Sequence, residues 1–370
     1  MTTNLFGMTL SQLQELCDSE GLPKYTAKQI CDWLYTKHVT EINAMSNISI
    51  ANRTRLQKIA RIGRHAPIDC QVSQDGTKKY LFEIVPHTLS NSLDSQVDAE
   101  EADEDFDLFD LDIPQHRYVE AVFIPDDDRA TLCISCQLGC RMGCHFCVTG
   151  RQGFHGDLDA GEILNQIFSI PEFRQITNVV YMGMGEPMDN YDNVLCSTRV
   201  LTASWGLAWS PKRITVSSVG VLPKLERFVR ESLCHVAVSL HNPCADERAM
   251  IMPMQKPYPI ADVVQMLKRF DWSGQRRISF EYIMFRDLND DLKHAETLVR
   301  LLRGLPCRVN LIRFHSSPGT PFNTSPTKRI VAFEKYLNTH GITCTLRTSR
   351  GEDIMAACGL LAGKKHQDYE

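Results

Sequence analysis

The chain has 370 residues, 43% of them hydrophobic and 23% charged, which is ordinary for a globular protein with room for one large domain and a small one. No run of eighteen apolar residues exists and Met1–Phe6 lacks a basic and apolar leader, so a membrane span and a secretory signal are excluded as readings and a cytoplasmic location is expected. Fourteen cysteines in such a chain point to thiols, ligands or redox groups rather than a disulfide framework.

Three short helices are predicted in the first sixty residues. Leu10, Leu13, Leu16 and Cys17 share one helical face, and Gly21 ends it. Thr26-Ala-Lys-Gln29 reads as a capping box opening a second helix with Ile30, Trp33 and Leu34 inside. Ile50, Leu56 and Ile59 mark a third, flanked by the basic residues Arg53, Arg55, Lys58, Arg61 and Arg64, a stripe suited to phosphate contacts. Asp75-Gly76 between Gln71-Val72 and Lys79–Val85 is a hairpin signal. Residues 86–115 then change character. Asp94–Asp112 holds ten acids and no base, and without it the formal charge of −5 becomes +5. A mobile acidic loop is expected there.

After the strand-like run Tyr118–Ile124, apolar runs recur at Thr131–Ser135, Asn178–Met182, Arg213–Ser218, His235–Leu240, Arg277–Met284 and Arg308–Phe314. Amphipathic segments such as Ile163–Ile170, Pro223–Arg230, Ile260–Phe270 and Leu292–Leu302 lie between them, and Thr343–Thr348 is a further strand. Alternation of buried strands with helices predicts an α/β fold with a parallel sheet, whose chemistry sits at the carboxyl ends of the strands. The expected division is a helical accessory module at 1–65, a hairpin and strand connector at 66–124 containing the insertion, a core at 125–350 and a C-terminal segment at 351–370.

The most informative run is Cys140-Arg-Met-Gly-Cys144-His-Phe-Cys147. Three thiolates with gaps of three and two residues can wrap one iron–sulfur cubane from a single loop and leave one of its irons open to a small molecule. Zinc is the competing reading, with a non-catalytic, zinc-held RNA-binding module as its functional form, although only His145 stands nearby as a fourth ligand. One unit later, Gly183-Met-Gly185-Glu186-Pro187 offers glycines for close backbone approach and a carboxylate that can accept from an ammonium group.

Together with Thr131-Leu-Cys133-Ile-Ser-Cys-Gln-Leu-Gly-Cys140, Phe146-Cys147-Val-Thr-Gly-Arg-Gln-Gly-Phe154, Ser239-Leu-His241 and Gly351-Glu-Asp-Ile-Met-Ala-Ala-Cys358-Gly359, these runs resemble the bacterial RNA adenine methyltransferases of the RlmN and Cfr group, radical S-adenosylmethionine (SAM) enzymes. The resemblance extends from about Leu5 to Leu361, interrupted by the insertion. It implies an open (β/α)6 radical SAM barrel, one [4Fe–4S] cluster on Cys140, Cys144 and Cys147, and two SAM molecules per turnover. Gly185, Glu186, Ser217, Ser239, Leu240, His241 and Asn310 would line the SAM pocket. Cys358 would accept a methyl group, lose a hydrogen to the deoxyadenosyl radical and add to an adenine ring carbon. Cys133 would then release the product through a transient disulfide, and Glu120 would take the ring proton. Read without the resemblance, Glu120 is a solvent-facing strand carboxylate. The implied substrate is C2 of adenosine in 23S rRNA and in tRNA, with C8 methylation of 23S rRNA the alternative. The implied partners are these RNAs and a flavodoxin- or ferredoxin-type electron donor, with no membrane and a monomeric chain.

Overall fold

The computed structural model describes residues 2–84, 117–272, 276–317 and 319–364, and the acidic insertion expected at 86–115 lies outside them. The first helix, Leu10–Ser19, opens with a capping box in which Gln12 Oε1 accepts from the Thr9 amide at 2.8 Å while Thr9 Oγ1 accepts from the Gln12 amide at 3.3 Å. Leu13 and Cys17 face inward, and Gly21, at φ +60°, follows its end. The box expected at Thr26 and Gln29 does not form. Tyr25 precedes the helix Thr26–Cys31 without a side-chain cap, and Thr26 is buried within the first turn. Pro23 starts that turn instead, its carbonyl accepting from the Thr26 amide at 2.8 Å. This helix continues as a π-helical turn, Asp32–Thr36. The third helix, Ile50–Ile59, buries Leu56 but leaves Ile50 75% exposed, so only part of its predicted apolar face is core.

A parallel pair, β1 (Thr3–Asn4) with β2 (Ala60–Arg61), joins the two ends of this region. It packs on the helix Ala160–Phe168, where Phe6 meets Phe168 edge-on at 5.0 Å. Gly7, at φ +96°, lies so close that a Cβ there would sit 2.3 Å from the Gly161 nitrogen. Part of the predicted basic stripe serves this packing. Arg64 donates to the carbonyls of His38 and Phe168, and Arg61 to Asn4 Oδ1.

Among the described residues one sheet has ten strands. Its antiparallel part is β3 (Asp69–Val72), β4 (Lys78–Glu83) and β5 (Tyr118–Asp126), with β5 also antiparallel to β6 (Arg129–Cys133). At the far end of the β4–β5 ladder the Ile84 amide donates to the Arg117 carbonyl at 2.7 Å. A small ribbon, β7 (Gln137–Gly139) with β8 (Phe154–Asp157), stands apart from the sheet. The remaining strands are β9 (Asn178–Tyr181), β10 (Ile214–Ser218), β11 (His235–Ser239), β12 (Ile278–Met284), β13 (Arg308–Arg313) and β14 (Thr343–Leu346).

From β6 through β13 the six strands run parallel in chain order, each beside the next, and β14 adds a seventh. Sequential order without reversal is the winding of a barrel rather than of a doubly wound sheet, and β3 and β14 are left as separate edges. This is the expected open α/β barrel of six strand–helix units. The strand after Tyr118 runs two residues further than predicted, and β6 starts and ends two residues earlier than Thr131–Ser135. Among the described residues no helix is long and apolar enough to cross a membrane.

Candidate active site

Five of the parallel strands, β9 to β13, and the cysteine loop deliver residues to one cavity. Its wall includes Cys140, Cys144 and Cys147 from the loop after β7, Gly185 and Glu186 after β9, Ser217 on β10, Ser239 and His241 at the end of β11, Glu281 and Ile283 on β12, Ile312 on β13, and Cys358. None of the three loop cysteines is in a disulfide. Gly143, at φ +66°, turns the chain between Met142 and Cys144, and the Cys140 amide is anchored on the Gly153 carbonyl at 2.7 Å. His145 turns away, with Nδ1 2.7 Å from the Met250 carbonyl, and does not line the cavity.

Burial pushes the Cys140 thiol up to about 12, raises Cys147, and together with repulsion from Cys147 and Cys140 holds Cys144 well above the ordinary thiol range. The fit to a metal group lies in the geometry, since three sulfur donors from one short loop line one cavity, as a cluster held by three cysteines requires.

Behind the cavity Arg248 is fully buried, and burial lowers its guanidinium to about 10. It donates to the carbonyls of Leu240 (2.9 Å), Ser239 (2.9 Å) and Val219 (3.0 Å) and to Gln255 Oε1 (2.7 Å), which pins the ends of β10 and β11. His241 sits at φ +56°, and burial, then Arg248, drop its imidazole to about 3. Its Nδ1 accepts from the Ile283 amide at 3.1 Å, so the neutral ring carries its proton on Nε2.

Glu186 is 3% exposed, and burial lifts its carboxyl to about 7 despite hydrogen bonds from the amides of Met188 (3.0 Å) and Val219 (2.9 Å). The two glycines beside it serve protein packing. A Cβ on Gly185 would lie 2.6 Å from Gln137 Cβ, and one on Gly183 would lie 2.7 Å from the Ile134 carbonyl oxygen. Close approach here is thus between backbone and the stem of the cysteine loop.

Two residues expected on the pocket wall stand behind it. Leu240 is fully buried in the core and is not part of the wall. Asn310 reaches the cavity through Glu281, donating from Nδ2 to Oε1 at 2.7 Å. Glu281 itself was not anticipated. It is 4% exposed, and its Oε2 makes no hydrogen bond among the described residues. A single acidic residue inside the otherwise apolar run Phe280–Met284 was the signal available for it.

Cys358 lies on an irregular segment after the 3-10 turn Glu352–Ile354, with no helix carrying it. Its thiol is exposed to the cavities, yet the surrounding protein still raises its pKa through desolvation. Cys133, at the end of β6, is 8% exposed and close enough to Cys358 that the two thiolates would repel, an effect second to burial in raising its pKa.

The segment is held on both sides. Upstream, Asp353 accepts from Ser73 Oγ at 2.5 Å and from the Gln74 amide at 3.1 Å, while Asp75 accepts from the Gly351 amide at 3.0 Å. Downstream, the Val148 amide donates to the Gly359 carbonyl at 2.8 Å, and Thr149 Oγ1 donates to the Leu361 carbonyl at 2.7 Å.

Glu120 is 1% exposed, which corrects its reading as a solvent-facing carboxylate. It pairs with the buried Lys79 at 3.1 Å and accepts from the amides of Ala362 (2.8 Å) and Gly363 (3.2 Å). It lines neither the cysteine cavity nor the barrel cavity below it.

The upstream anchor leads to a direct expectation. Asp353→Ala removes two of the three hydrogen bonds that tie the Cys358 segment to the β3–β4 turn, and a displacement of about 1 Å can cost about 100-fold in rate. The turnover expected to pass through Cys358 should fall by that order while iron content and SAM binding hold. An unchanged rate would show that Asp353 does not position Cys358.

Among known families, a model of the ribosomal RNA large subunit methyltransferase N-terminal domain matches residues 3–62, and a radical SAM superfamily model matches residues 134–302. The chain is 49% identical over 366 residues to a probable dual-specificity RNA methyltransferase RlmN of Porphyromonas gingivalis, covering 99% of this chain and 98% of that one. It is 37% identical over 365 residues to the dual-specificity RNA methyltransferase RlmN of Syntrophus aciditrophicus, covering 98% and 97%. A crystal structure of a radical SAM methyltransferase from Sphaerobacter thermophilus superposes with a TM-score of 0.83 at 35% identity, covering 98% of this chain and 100% of that one. Full-length identity of this order, on a barrel whose strand ends bring three cysteines to one cavity, makes the chain a member of the RlmN family of radical SAM RNA methyltransferases, which work with a [4Fe–4S] cluster and SAM.

Proposed function

We propose that the enzyme methylates the C2 carbon of adenosine in 23S rRNA and in tRNA, by way of a methyl group carried on Cys358. One observation supports this most directly. Cys358 lines both the cysteine cavity and a second cavity of about 660 Å³ inside the barrel. That volume lies in the range of small-ligand sites, roughly 300–1,000 Å³. Its wall carries Arg129, Lys212, Arg277, Arg308, Arg347 and Arg350, a lining suited to phosphate. A thiol shared by a cofactor cavity and a basic cavity is placed to carry a one-carbon unit from one to the other.

In this reading Cys140, Cys144 and Cys147 hold the cluster, which when bound supplies one electron to SAM. Gly185, Glu186, Ser217, Ser239 and His241 surround SAM. Glu186, whose burial makes its charge costly, accepts from the SAM ammonium, and His241 offers its Nε2 proton as a donor. Glu281 presents Oε2, which has only Arg347 Nε at 3.8 Å as an ionic partner, with Asn310 holding the other oxygen in place. Leu240 contributes through its backbone, tied to Arg248.

Cys133 resolves the Cys358–RNA adduct, and Glu120 takes the ring proton. In the arrangement seen, Glu120 Oε2 is capped by the amides of Ala362 and Gly363, four and five residues beyond Cys358. Lifting of that segment would therefore free the carboxylate and move Cys358 in one event. The dual specificity for which the relatives are named supports two RNA classes, and Arg151-Gln-Gly-Phe154 with Glu186-Pro187 supports C2 over C8. Electrons come from a flavodoxin- or ferredoxin-type protein, and the chain acts as a cytoplasmic monomer.

The test is mass spectrometry of 23S rRNA and tRNA from a deletion strain complemented with wild type or Cys358→Ser. Wild type should restore 2-methyladenosine in both RNAs, and Cys358→Ser in neither. A methyl group at C8, or restoration by Cys358→Ser, would overturn the reading.

A further inference from the structure

A second group of metal-ligating side chains gathers just beyond the loop that carries Ser239 and His241. Cys244 precedes the helix Ala245–Ile251, Glu247 lies in that helix's first turn, and His294 lies in the first turn of Leu292–Leu302. The Cys244 Sγ, a Glu247 carboxylate oxygen and a His294 ring nitrogen all lie within 4.8 Å of one another. All three side chains are half-buried, and none lines the cavity of the cluster cysteines. Zinc bonds of about 2.0–2.3 Å place donors roughly 3.3–3.7 Å apart, so closing this group on an ion takes about 1 Å of side-chain movement.

Its surroundings separate this group from an ordinary surface ion pair. His294 Nδ1 lies 2.8 Å from Asp291 Oδ1, which leaves Nε2 turned toward Glu247 Oε2 at 2.7 Å. A carboxylate behind the far nitrogen of a histidine is the usual support of a metal-bound imidazole. Asp291 is itself fixed, accepting from the His294 amide at 3.0 Å as the N-cap of its helix. On the other side, the fully buried Asn242 spans the remaining two donors. Its Nδ2 donates to Glu247 Oε2 at 2.8 Å, and its Oδ1 accepts from the Cys244 amide at 2.8 Å. Each prospective ligand is thus oriented by a polar group outside the set. Sulfur, nitrogen and oxygen donors in this mixture suit zinc better than magnesium or calcium.

We propose that Cys244, Glu247 and His294 form a three-ligand site for a zinc-class divalent cation, with water in the fourth position. Binding replaces the thiol proton of Cys244 and any proton on His294 Nε2, both of which pass to solvent, and no electron moves. The ion ties the helix Ala245–Ile251 to the helix Leu292–Leu302. Because Arg248 sits on the first of these and holds the carbonyls of Ser239, Leu240 and Val219, the ion braces the edge of the SAM cavity from outside.

The test uses full-length, anaerobically purified protein with its cluster intact, dialysed against micromolar zinc chloride and then desalted. Elemental analysis should find one zinc per chain with iron content unchanged, and zinc-edge X-ray absorption should show one sulfur among nitrogen and oxygen ligands. Asp291→Asn should weaken zinc binding about 10–100-fold, and Cys244→Ser and His294→Gln by more than that. Zinc uptake equal to wild type in Cys244→Ser and His294→Gln would overturn the site. So would a shell of three sulfurs, which would place the zinc on the cluster loop. Absence of zinc at micromolar concentration would leave His294 as an imidazolium bridging Glu247 and Asp291 and would equally end the proposal.

Discussion

Cys144→Ala is expected to leave anaerobic purification folded, colourless and unable to cleave SAM. The thiol is 8% exposed, and its removal costs the fold no more than an ordinary point substitution, about 0.5–3 kcal/mol. The loop keeps its own anchors, since the Cys140 amide on Gly153 and the His145 amide on Ile251 do not involve the side chain of Cys144. The metal site has no such reserve. With His145 turned toward Met250, two cysteines would remain for a four-iron cluster. Iron and sulfide analysis, visible absorption and release of 5′-deoxyadenosine measure the result, and Cys140→Ala and Cys147→Ala should match it. Normal iron content in any of the three would remove that residue from the ligand set.

Cys133→Ala is expected to stall with RNA bound covalently to Cys358. Cys133 sits at the end of β6, close enough to Cys358 for the two sulfurs to perturb each other, and nothing else in the proposed mechanism releases the adduct. A denaturing gel should show a slow, RNase-sensitive protein band that is absent from Cys133→Ala/Cys358→Ala. Accumulation should approach one RNA per chain, with turnover stopped after the first cycle. Free methylated RNA at the wild-type rate would take Cys133 out of the mechanism.

The barrel was legible because buried parallel strands are written as apolar runs, and six of these separated by amphipathic helices have few other solutions. Placement of motifs at strand ends likewise brings Cys140, Cys144, Cys147, Glu186, Ser217, Ser239 and His241 to one cavity. Family membership then favours an enzyme over the zinc-held binding module left open by the cysteine spacing alone.

What escaped was tertiary. Thr26 carries the sequence of a cap, but Pro23 sets the turn and the threonine is buried. Arg64 belongs to the stripe expected to meet phosphate, yet its guanidinium is spent on backbone carbonyls, as are those of Arg213 on Ile176 and Thr177 and of Arg276 on Cys234 and Val229. The burial of Glu120 depends on Lys79 across the strand pair and on amides from the far end of the chain. Glu281 owes its place to strand register, since one step along β12 would turn it out of the cavity.

The hydrogen bond between the Ile84 amide and the Arg117 carbonyl bears on how this chain tolerates change. It brings the two ends of residues 85–116 together as the last rung of a ladder whose other rungs are set by β4 and β5. Loop-closure entropy grows only logarithmically, by about 0.6 kcal/mol for each doubling of length, so the body is nearly indifferent to what is spliced between those two residues. This position is therefore suited to an engineered insertion, such as a fluorescent reporter or an affinity handle.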